Sequence, residues 1–236
     1  MIELNFPNFD ERNGKIDTLV LHCLAYDVKE GMQTFVDNNV SSHYMIGYNA
    51  KIYRLVAEDK RAWHCGISYW KNRESLNHNS IGIEICSPTL GQEKYDQKQI
   101  LALVRLCKKL IKKYHIKKTN VVAHSDIAPT RKPDPGKAFP WKYLAKHGIG
   151  LWYNIKNAEK VCDKTETEML SEIGYNTSNL LAAKWAFCRH FLPQIVPYDT
   201  IENLINKPVP EMVEKLTDNE LYLKTLKAVY YSYCRS

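Results

Sequence analysis

The sequence predicts an α/β domain at residues 1–150, followed by a smaller α-helical domain at residues 151–236. Segments of strand type alternate with segments of helical spacing in the first part, whereas the regular segments after Gly150 all have helical spacing. A length of 236 residues, of which 44% are hydrophobic, is enough for one large packed domain and one small one.

The strands of the first part are predicted from short apolar runs rich in β-branched residues. Residues 15–24, 80–86 and 120–124 have almost continuous apolar runs, which is typical of strands buried on both faces. Residues 44–46 and 52–56 are two further short runs separated by a turn, and together they predict a hairpin.

The helices are predicted from apolar residues that recur on one face. In the first part these are residues 28–39, residues 96–114 with Asp96 as N-cap, and the short segment 140–147. The predicted helices of the second part are residues 165–173, 178–191 and 218–233. A long loop rich in Pro, Asp and Lys fills residues 125–139, and loops of this length in compact domains tend to carry function.

Charge is distributed unevenly along the chain. The net charge is +7, and residues 1–150 contain 23 Lys and Arg against 15 Asp and Glu. The densest basic stretch, residues 108–118, is the end of a predicted helix, where cations complement the helix dipole. A nucleic acid or an anionic surface is the alternative partner for this stretch. Because no nucleic-acid-binding motif accompanies the charge, we expect no nucleic-acid partner.

Several other classes are excluded by what the sequence lacks. No apolar run is long enough to span a bilayer. There is no G-x-S-x-G, no P-loop and no dinucleotide fingerprint. Seven scattered cysteines without a C-x-x-C pair suit reduced thiols, and the N-terminus shows no secretion signal, so the expected location is cytoplasmic. The alternative is the periplasm or cell envelope, if a signal was removed.

Two of the three core strands end in a histidine, His22 in the first and His124 in the third. Each lies at the edge of the predicted sheet, although either one alone is more typical of a structural histidine. Asp134 follows in the long loop. Two histidines and a carboxylate form a ligand set of hydrolytic zinc sites, which keep a fourth position open. Their spacing matches no short zinc signature, so the fold would have to bring them together.

Two further residues could act at the same site. Glu84 lies within the second core strand, on the same face as Gly82 and Cys86. A buried carboxylate is costly unless it is paired or functional, so Glu84 is either a general base or the partner of a buried salt bridge. Lys132 lies two residues before Asp134 in an extended loop, where it could stabilise an oxyanion or remain a solvated loop lysine.

The stretch HSDIAPTRKPDPGKAFPW at 124–141 resembles the zinc-binding loop of N-acetylmuramoyl-L-alanine amidases of the AmpD/AmiD type. Three more segments resemble these amidases in the same order: VLHCLA at 20–25, SSHYMIGYNAKIYRLVAEDKRAWHCG at 41–66 and NHNSIGIEI at 77–85. The resemblance covers about residues 15–147, and its loop, buried-glutamate and AWHxG motifs are independent features. It implies the fold of peptidoglycan-recognition proteins and phage T7 lysozyme, a central mixed β-sheet flanked by helices.

The resemblance implies a zinc-dependent hydrolase of the amide between N-acetylmuramic acid and L-alanine in peptidoglycan fragments. Fragments ending in 1,6-anhydro-muramic acid are the implied cytoplasmic substrate, and the intact cell wall is the alternative. The implied zinc ligands are His22, His124 and Asp134. Glu84 is the implied acid/base group and Lys132 the implied transition-state stabiliser, with direct attack by water.

The family also suggests residues around the substrate. Arg131, Asn79 and His64 resemble substrate-contact positions, and His43 lies where the family has a histidine near the cleft, as a contact or as a structural residue. A non-catalytic peptidoglycan-binding module is the alternative function, because some relatives keep the groove and lose the ligands. This chain keeps all three ligand positions, which favours the enzyme.

Residues 162–192 resemble the small three-helix, peptidoglycan-binding-like domain that follows some of these amidases. The resemblance depends on Ala182, Ala186, Phe187 and Phe191, which are spaced for one helix face. A plain core helix has the same spacing. The second domain is therefore expected to bind peptidoglycan, to buttress the first domain or to form an oligomer contact.

Overall fold

The computed structural model describes residues 1–236, and its main feature is a six-stranded mixed sheet. The strands of the protein are β1 (Ile2–Glu3), β2 (Phe9–Glu11), β3 (Thr18–Leu24), β4 (Tyr44–Ile46), β5 (Ile52–Arg54), β6 (Lys60–Ala62), β7 (Tyr69–Trp70), β8 (Arg73–Glu74), β9 (Ser80–Cys86) and β10 (Val121–Ala123). The main sheet has the order β1-β5-β4-β9-β3-β10, and all its pairs are parallel except β4 with β5. Two two-stranded sheets, β2 with β6 and β7 with β8, complete the strand structure.

The two central strands place the predicted site. Every residue of β3 and β9 is buried, as their apolar sequences predict. The parallel register pairs His22 with Glu84, so these two side chains point to the same face of the sheet. On the other side of β3, β10 ends at Ala123, and His124 follows directly. His22, Glu84 and His124 therefore meet at the carboxyl edge of three adjacent strands.

The structure contains nine α-helices, and none combines the length and hydropathy that crossing a membrane needs. They are α1 (Val28–Asp37), α2 (Gln97–Tyr114), α3 (His124–Ile127), α4 (Trp141–Lys146), α5 (Glu166–Ile173), α6 (Leu180–Phe191), α7 (Ile201–Asn206), α8 (Val213–Thr217) and α9 (Glu220–Cys234). Helix α2 begins after Asp96, whose side chain accepts hydrogen bonds from two backbone N–H groups of the first turn. Its Leu103 and Leu110 pack with Leu19 and Ile83 on one face of the sheet.

The opposite face of the sheet packs against the C-terminal helices. Val20 and Val122 belong to one continuous buried core with Met169, Phe187 and Leu226. Strand alternation explains the division, because neighbouring residues of β3 point to opposite faces. Residues on both sides of the predicted boundary at Gly150 therefore share one hydrophobic core. The division of the chain into two separate domains remains a prediction. The C-terminal helices at 151–236 are called the helical part below.

The structure departs from the sequence prediction in its short elements. Strands β1, β2, β6, β7 and β8, each of two or three residues, were not predicted. The predicted loop at 125–139 begins inside a one-turn helix, α3, and helices α7 and α8 were also missed. The predicted helix at 178–191 begins only at Leu180, because the side chain of Asn179 caps it.

Candidate metal centre

The three residues predicted as metal ligands lie together at the carboxyl edge of the sheet. His22 Nδ1 is 2.9 Å from His124 Nδ1 and 3.5 Å from Asp134 Oδ2, and His124 Nδ1 is 3.1 Å from Asp134 Oδ2. All three side chains are buried. The fold thus closes the long gap in sequence between the first histidine and the other two residues.

A chain of hydrogen bonds determines which nitrogen of His22 carries the lone pair. Ser80 Oγ lies 2.7 Å from the Leu76 carbonyl oxygen, which can only accept, so the hydroxyl donates there and accepts from His64 Nε2 at 3.3 Å. Burial and His22 hold the pKa of His64 well below 6.5, so its ring is neutral and its Nδ1 accepts. That acceptor lies 3.0 Å from His22 Nε2. Burial and His124 lower the pKa of His22 to about 4, so its neutral ring donates through Nε2 and keeps its lone pair on Nδ1.

His124 presents the same nitrogen to the site. Its Nε2 lies 3.3 Å from the Cys65 carbonyl oxygen, to which it donates, so Nδ1 is the nitrogen that can present a lone pair to the site. Three acceptors therefore converge: Nδ1 of His22, Nδ1 of His124 and Oδ2 of Asp134. Such a cluster is unfavourable unless a cation lies among the three atoms. The three residues could hold a metal ion, and two imidazoles with one carboxylate suit Zn²⁺ with one position left open.

Glu84 faces the same point from β9. Its Oε1 lies 3.9 Å from His22 Nδ1, while its Oε2 is buried and makes no hydrogen bond. Burial and the Asp134 carboxylate raise the pKa of Glu84 well above 4.5, and the nearby Lys132 ammonium only partly opposes them. A buried carboxyl oxygen without a partner destabilises the fold, which is typical of a group kept for chemistry.

Two further buried histidines, His43 and His64, support the proposed metal ligands. His43 is fully buried, accepts a hydrogen bond from Gly82 N at 3.0 Å and has its Nε2 2.8 Å from Arg12 Nη2. Burial and Arg12 lower the pKa of His43 to about 3, so this ring is also neutral. His64, predicted as a substrate contact, contacts the ring of His22 instead of pointing only into the cleft. Both histidines therefore lie where they can help to hold the proposed metal ligands in place.

Replacing Gly82 with Ala is expected to weaken metal binding by about 10–100-fold, the usual effect of losing the partner of a metal-ligating histidine. An added Cβ would lie 2.5 Å from His64 Cγ, so the His64 ring must move away from His22 Nε2. Competition with a chelating indicator measures the affinity. The control is Ile83→Ala on the opposite face of the same strand, which should lower stability and leave metal affinity unchanged. Equal affinity of folded Gly82→Ala and wild-type protein would contradict the role given to His64.

Two of the candidate ligands, His124 and Asp134, line a cavity of about 440 Å³. Glu84, Trp63, Arg131 and Lys132 line it as well. Lys132 is partly buried, and its charge acts on Glu84. The guanidinium of Arg131 donates to two carbonyl oxygens of the segment 65–67, at 3.0 and 2.5 Å, and so bridges the two loops that border the cavity. The cavity therefore offers two cations and one carboxyl group beside the metal position.

Sequence reasoning missed a polar cavity residue that holds the loop at residues 64–65. Asn77 lines the cavity, and its Oδ1 accepts from the backbone N–H groups of His64 and Cys65 at 3.1 and 2.8 Å. Asn79, the predicted substrate contact, lies outside the cavity lining and donates to the Lys15 carbonyl oxygen at 3.1 Å. Both asparagines belong to the motif NHNSIGIEI at 77–85. Asn77 lies in a single turn of 3-10 helix and Asn79 directly follows it, so their side chains point in different directions. Nothing in the sequence distinguishes them.

The protein family follows from the sequence match. The family model described as N-acetylmuramoyl-L-alanine amidase matches residues 12–137. The chain belongs to this amidase family. The amidase AmiD of Escherichia coli strain K12 is 38% identical over 213 residues, which are 77% of this chain and 76% of that protein. The 1,6-anhydro-N-acetylmuramyl-L-alanine amidase AmpD of Haemophilus influenzae is 30% identical over 167 residues, which are 61% of this chain and 90% of that protein.

Solved amidase structures have the same fold. E. coli AmiD, in complex with anhydro-N-acetylmuramic acid-L-Ala-D-γ-Glu-L-Lys, superimposes with a TM-score of 0.74 at 30% identity and covers 97% of this chain and 99% of its own. AmpDh3 of Pseudomonas aeruginosa also has a TM-score of 0.74 at 30% identity, covering 99% of this chain and 100% of its own. The predicted amidase fold, a mixed sheet flanked by helices with a C-terminal helical part, is confirmed.

Proposed function

We propose that this amidase hydrolyses the amide bond between N-acetylmuramic acid and L-alanine in peptidoglycan fragments that end in 1,6-anhydro-muramic acid. The observation that carries this proposal is the convergence of three acceptor atoms, from His22, His124 and Asp134, beside the unpartnered carboxyl oxygen of Glu84. The relatives named for 1,6-anhydro-muramyl substrates support the choice of fragment.

We propose Zn²⁺ as the metal, held by His22 Nδ1, His124 Nδ1 and Asp134 Oδ2. When bound, the ion would supply Lewis-acid polarisation of the substrate carbonyl and a lowered pKa for the attacking water. The chain itself arranges this chemistry in advance, because the hydrogen bonds from His22 Nε2 to His64 Nδ1 and from His124 Nε2 to the Cys65 carbonyl oxygen orient both imidazoles.

Glu84 is the proposed proton carrier. Its raised pKa suits a group that takes a proton from the attacking water and then delivers it to the leaving nitrogen of L-alanine. Lys132, at the cavity wall, is proposed to stabilise the negative charge that develops on the carbonyl oxygen. Water attacks the amide carbon directly, so the C–N bond breaks without a covalent intermediate.

Arg131 is the proposed substrate contact at the cavity mouth, since its side chain is exposed there beside the metal position. His64 and His43 are proposed to support the ligand strand, on the contacts described above. Asn79 is not part of the proposal, because its amide hydrogen-bonds outside the cavity.

The test is an assay of the purified protein on an anhydro-muropeptide, with and without a zinc chelator, in which mass spectrometry follows the free stem peptide. We expect release that the chelator abolishes and added zinc restores. A second arm offers intact sacculi: preference for the soluble fragment would fit the cytoplasmic location expected from the sequence, and cleavage of sacculi would fit the cell envelope. Bound zinc without release from either substrate would favour the alternative function, a peptidoglycan-binding module.

A further inference from the structure

A buried aspartate joins the proposed ligand loop to the helical part. Asp126 is 1% exposed, and both of its carboxylate oxygens are hydrogen-bonded. Oδ1 accepts from the Tyr175 hydroxyl at 2.9 Å, and Oδ2 accepts from His190 Nδ1 at 2.7 Å. Both donors belong to the helical part, Tyr175 just after α5 and His190 near the end of α6.

The two donors are themselves held in place. The His190 ring stacks between Trp141 at 3.9 Å and Phe191 at 4.1 Å, measured between ring centroids, and it is 2% exposed. The Tyr175 ring is 1% exposed and lies edge-on to Trp70 at 5.1 Å. Both side chains are buried and packed against aromatic rings, so together they hold the Asp126 carboxylate in position.

Asp126 in turn fixes the backbone around His124. Its Oδ2 also accepts from the Ala123 backbone N–H at 2.7 Å, so one carboxylate clamps the residue before His124 from a position two residues after it. The same turn is tied to the third proposed ligand, because Ser125 N donates to the Asp134 carbonyl oxygen at 2.9 Å. The direction in which His124 leaves the strand therefore depends on where Asp126 is held.

We propose that the helical part positions His124 through Asp126, with His190 and Tyr175 as the positioning residues. The proposal rests on the function proposed above, since it requires His124 to be a metal ligand. Of the three roles expected for the second domain, it favours the buttress of the first domain and gives that buttress a task in the catalytic centre. Loss of the Tyr175 hydroxyl leaves Oδ1 of Asp126 buried without a partner, and loss of the His190 donor leaves Oδ2 with the Ala123 N–H alone. In either case the buried carboxylate is no longer fully paired, and we expect it to shift and loosen the clamp on Ala123.

The test compares three variants of the full-length chain. His190→Phe keeps the aromatic stack and removes the donor, Tyr175→Phe removes only a hydroxyl, and His190→Asn keeps an N–H donor near the position of Nδ1. The readouts are zinc affinity by chelator competition, the absorption spectrum of the Co²⁺-substituted protein, and the thermal midpoint. We expect both Phe variants to bind zinc about tenfold more weakly and to have an altered Co²⁺ spectrum. His190→Asn should keep the zinc affinity and the Co²⁺ spectrum of the wild type.

The control is Leu226→Ala, which opens a cavity in the helical core without touching Asp126. It should lower the thermal midpoint and leave zinc affinity and the Co²⁺ spectrum unchanged. Wild-type affinity and spectrum in a folded His190→Phe or Tyr175→Phe variant would overturn the inference while the proposed function stands. If wild-type protein neither binds zinc nor releases stem peptide, the proposed function itself fails. Should His190→Phe fail to fold, Tyr175→Phe decides alone.

Discussion

Glu84→Gln is expected to lower kcat for amide hydrolysis by about 10²–10⁴-fold, the usual contribution of a positioned acid/base group. The substitution keeps the shape of the side chain and removes the group that accepts and returns the proton. Zinc content should not change, because Glu84 is not one of the three residues whose ligand atoms could together hold a metal ion. Stem-peptide release by mass spectrometry, with metal content by elemental analysis, measures both quantities.

The chain contains a matched control for this variant. Glu58 is as buried as Glu84, each being 8% exposed, but it is fully paired: it accepts from Lys113 Nζ at 2.6 Å and from the hydroxyls of Tyr44 and Tyr114. Glu58→Gln should lower stability and leave kcat unchanged. Glu84→Gln should lower kcat and leave stability unchanged, since it removes a carboxyl group that stabilises nothing around it. If both variants lost stability and kcat together, Glu84 would be a structural glutamate.

The contrast between the two glutamates also predicts a pH dependence. Burial alone would raise the pKa of Glu58, but the hydrogen bonds from Lys113, Tyr114 and Tyr44 outweigh it and lower the pKa from 4.5 to about 2. A folded-state pKa below the unfolded value means that the stabilisation is present above pH 4.5 and is lost as pH falls toward 2. The stability difference between wild type and Glu58→Gln should therefore shrink over that interval, as urea unfolding at a series of pH values would measure.

The sequence was informative about residues whose role depends on their own strand. His22 and His124 each follow a run of apolar residues, so the pattern predicted that both lie at the edge of the sheet. Glu84 interrupts another apolar run, so the pattern marked it as a buried carboxylate that is either paired or functional. The parallel register that pairs His22 with Glu84 then follows from two strands of equal length and similar apolar pattern.

Residues whose role depends on distant contacts could not be predicted in the same way. Asp126 and His190 are 64 positions apart, and neither interrupts a local pattern. The His64–Ser80–Leu76 hydrogen bonds likewise depend on how an irregular segment packs under β9. Periodicity describes which face of an element is apolar, but it contains no information about which polar side chains meet across elements. The supporting groups of this centre were therefore visible only in the structure.

Asp134→Asn is expected to abolish useful zinc binding, with a loss of affinity greater than the 10–100-fold that follows removal of a supporting partner. The carboxylate is the only anionic member of the three converging acceptors, since His22 and His124 coordinate as neutral imidazoles. An amide of the same shape replaces that charge with a dipole. Equilibrium dialysis with elemental analysis measures the bound zinc, and Asp10→Asn, which breaks a surface ion pair with Arg61, serves as the control.

The same variant separates a metal ligand from a structural ion-pair partner. A ligand that binds only the folded state stabilises it by RT ln(1 + [L]/Kd), about 2.7 kcal/mol when the free zinc concentration is 100 times Kd. Wild-type protein should therefore melt at a higher temperature when zinc is added, whereas Asp134→Asn should not respond. If Asp134 served only to pair with His124, the variant would lose as much stability without zinc as with it. A zinc-dependent rise in melting temperature that is confined to the wild type and the Asp10→Asn control would assign the Asp134 carboxylate to the metal, because only a ligand makes the effect of the substitution depend on zinc concentration.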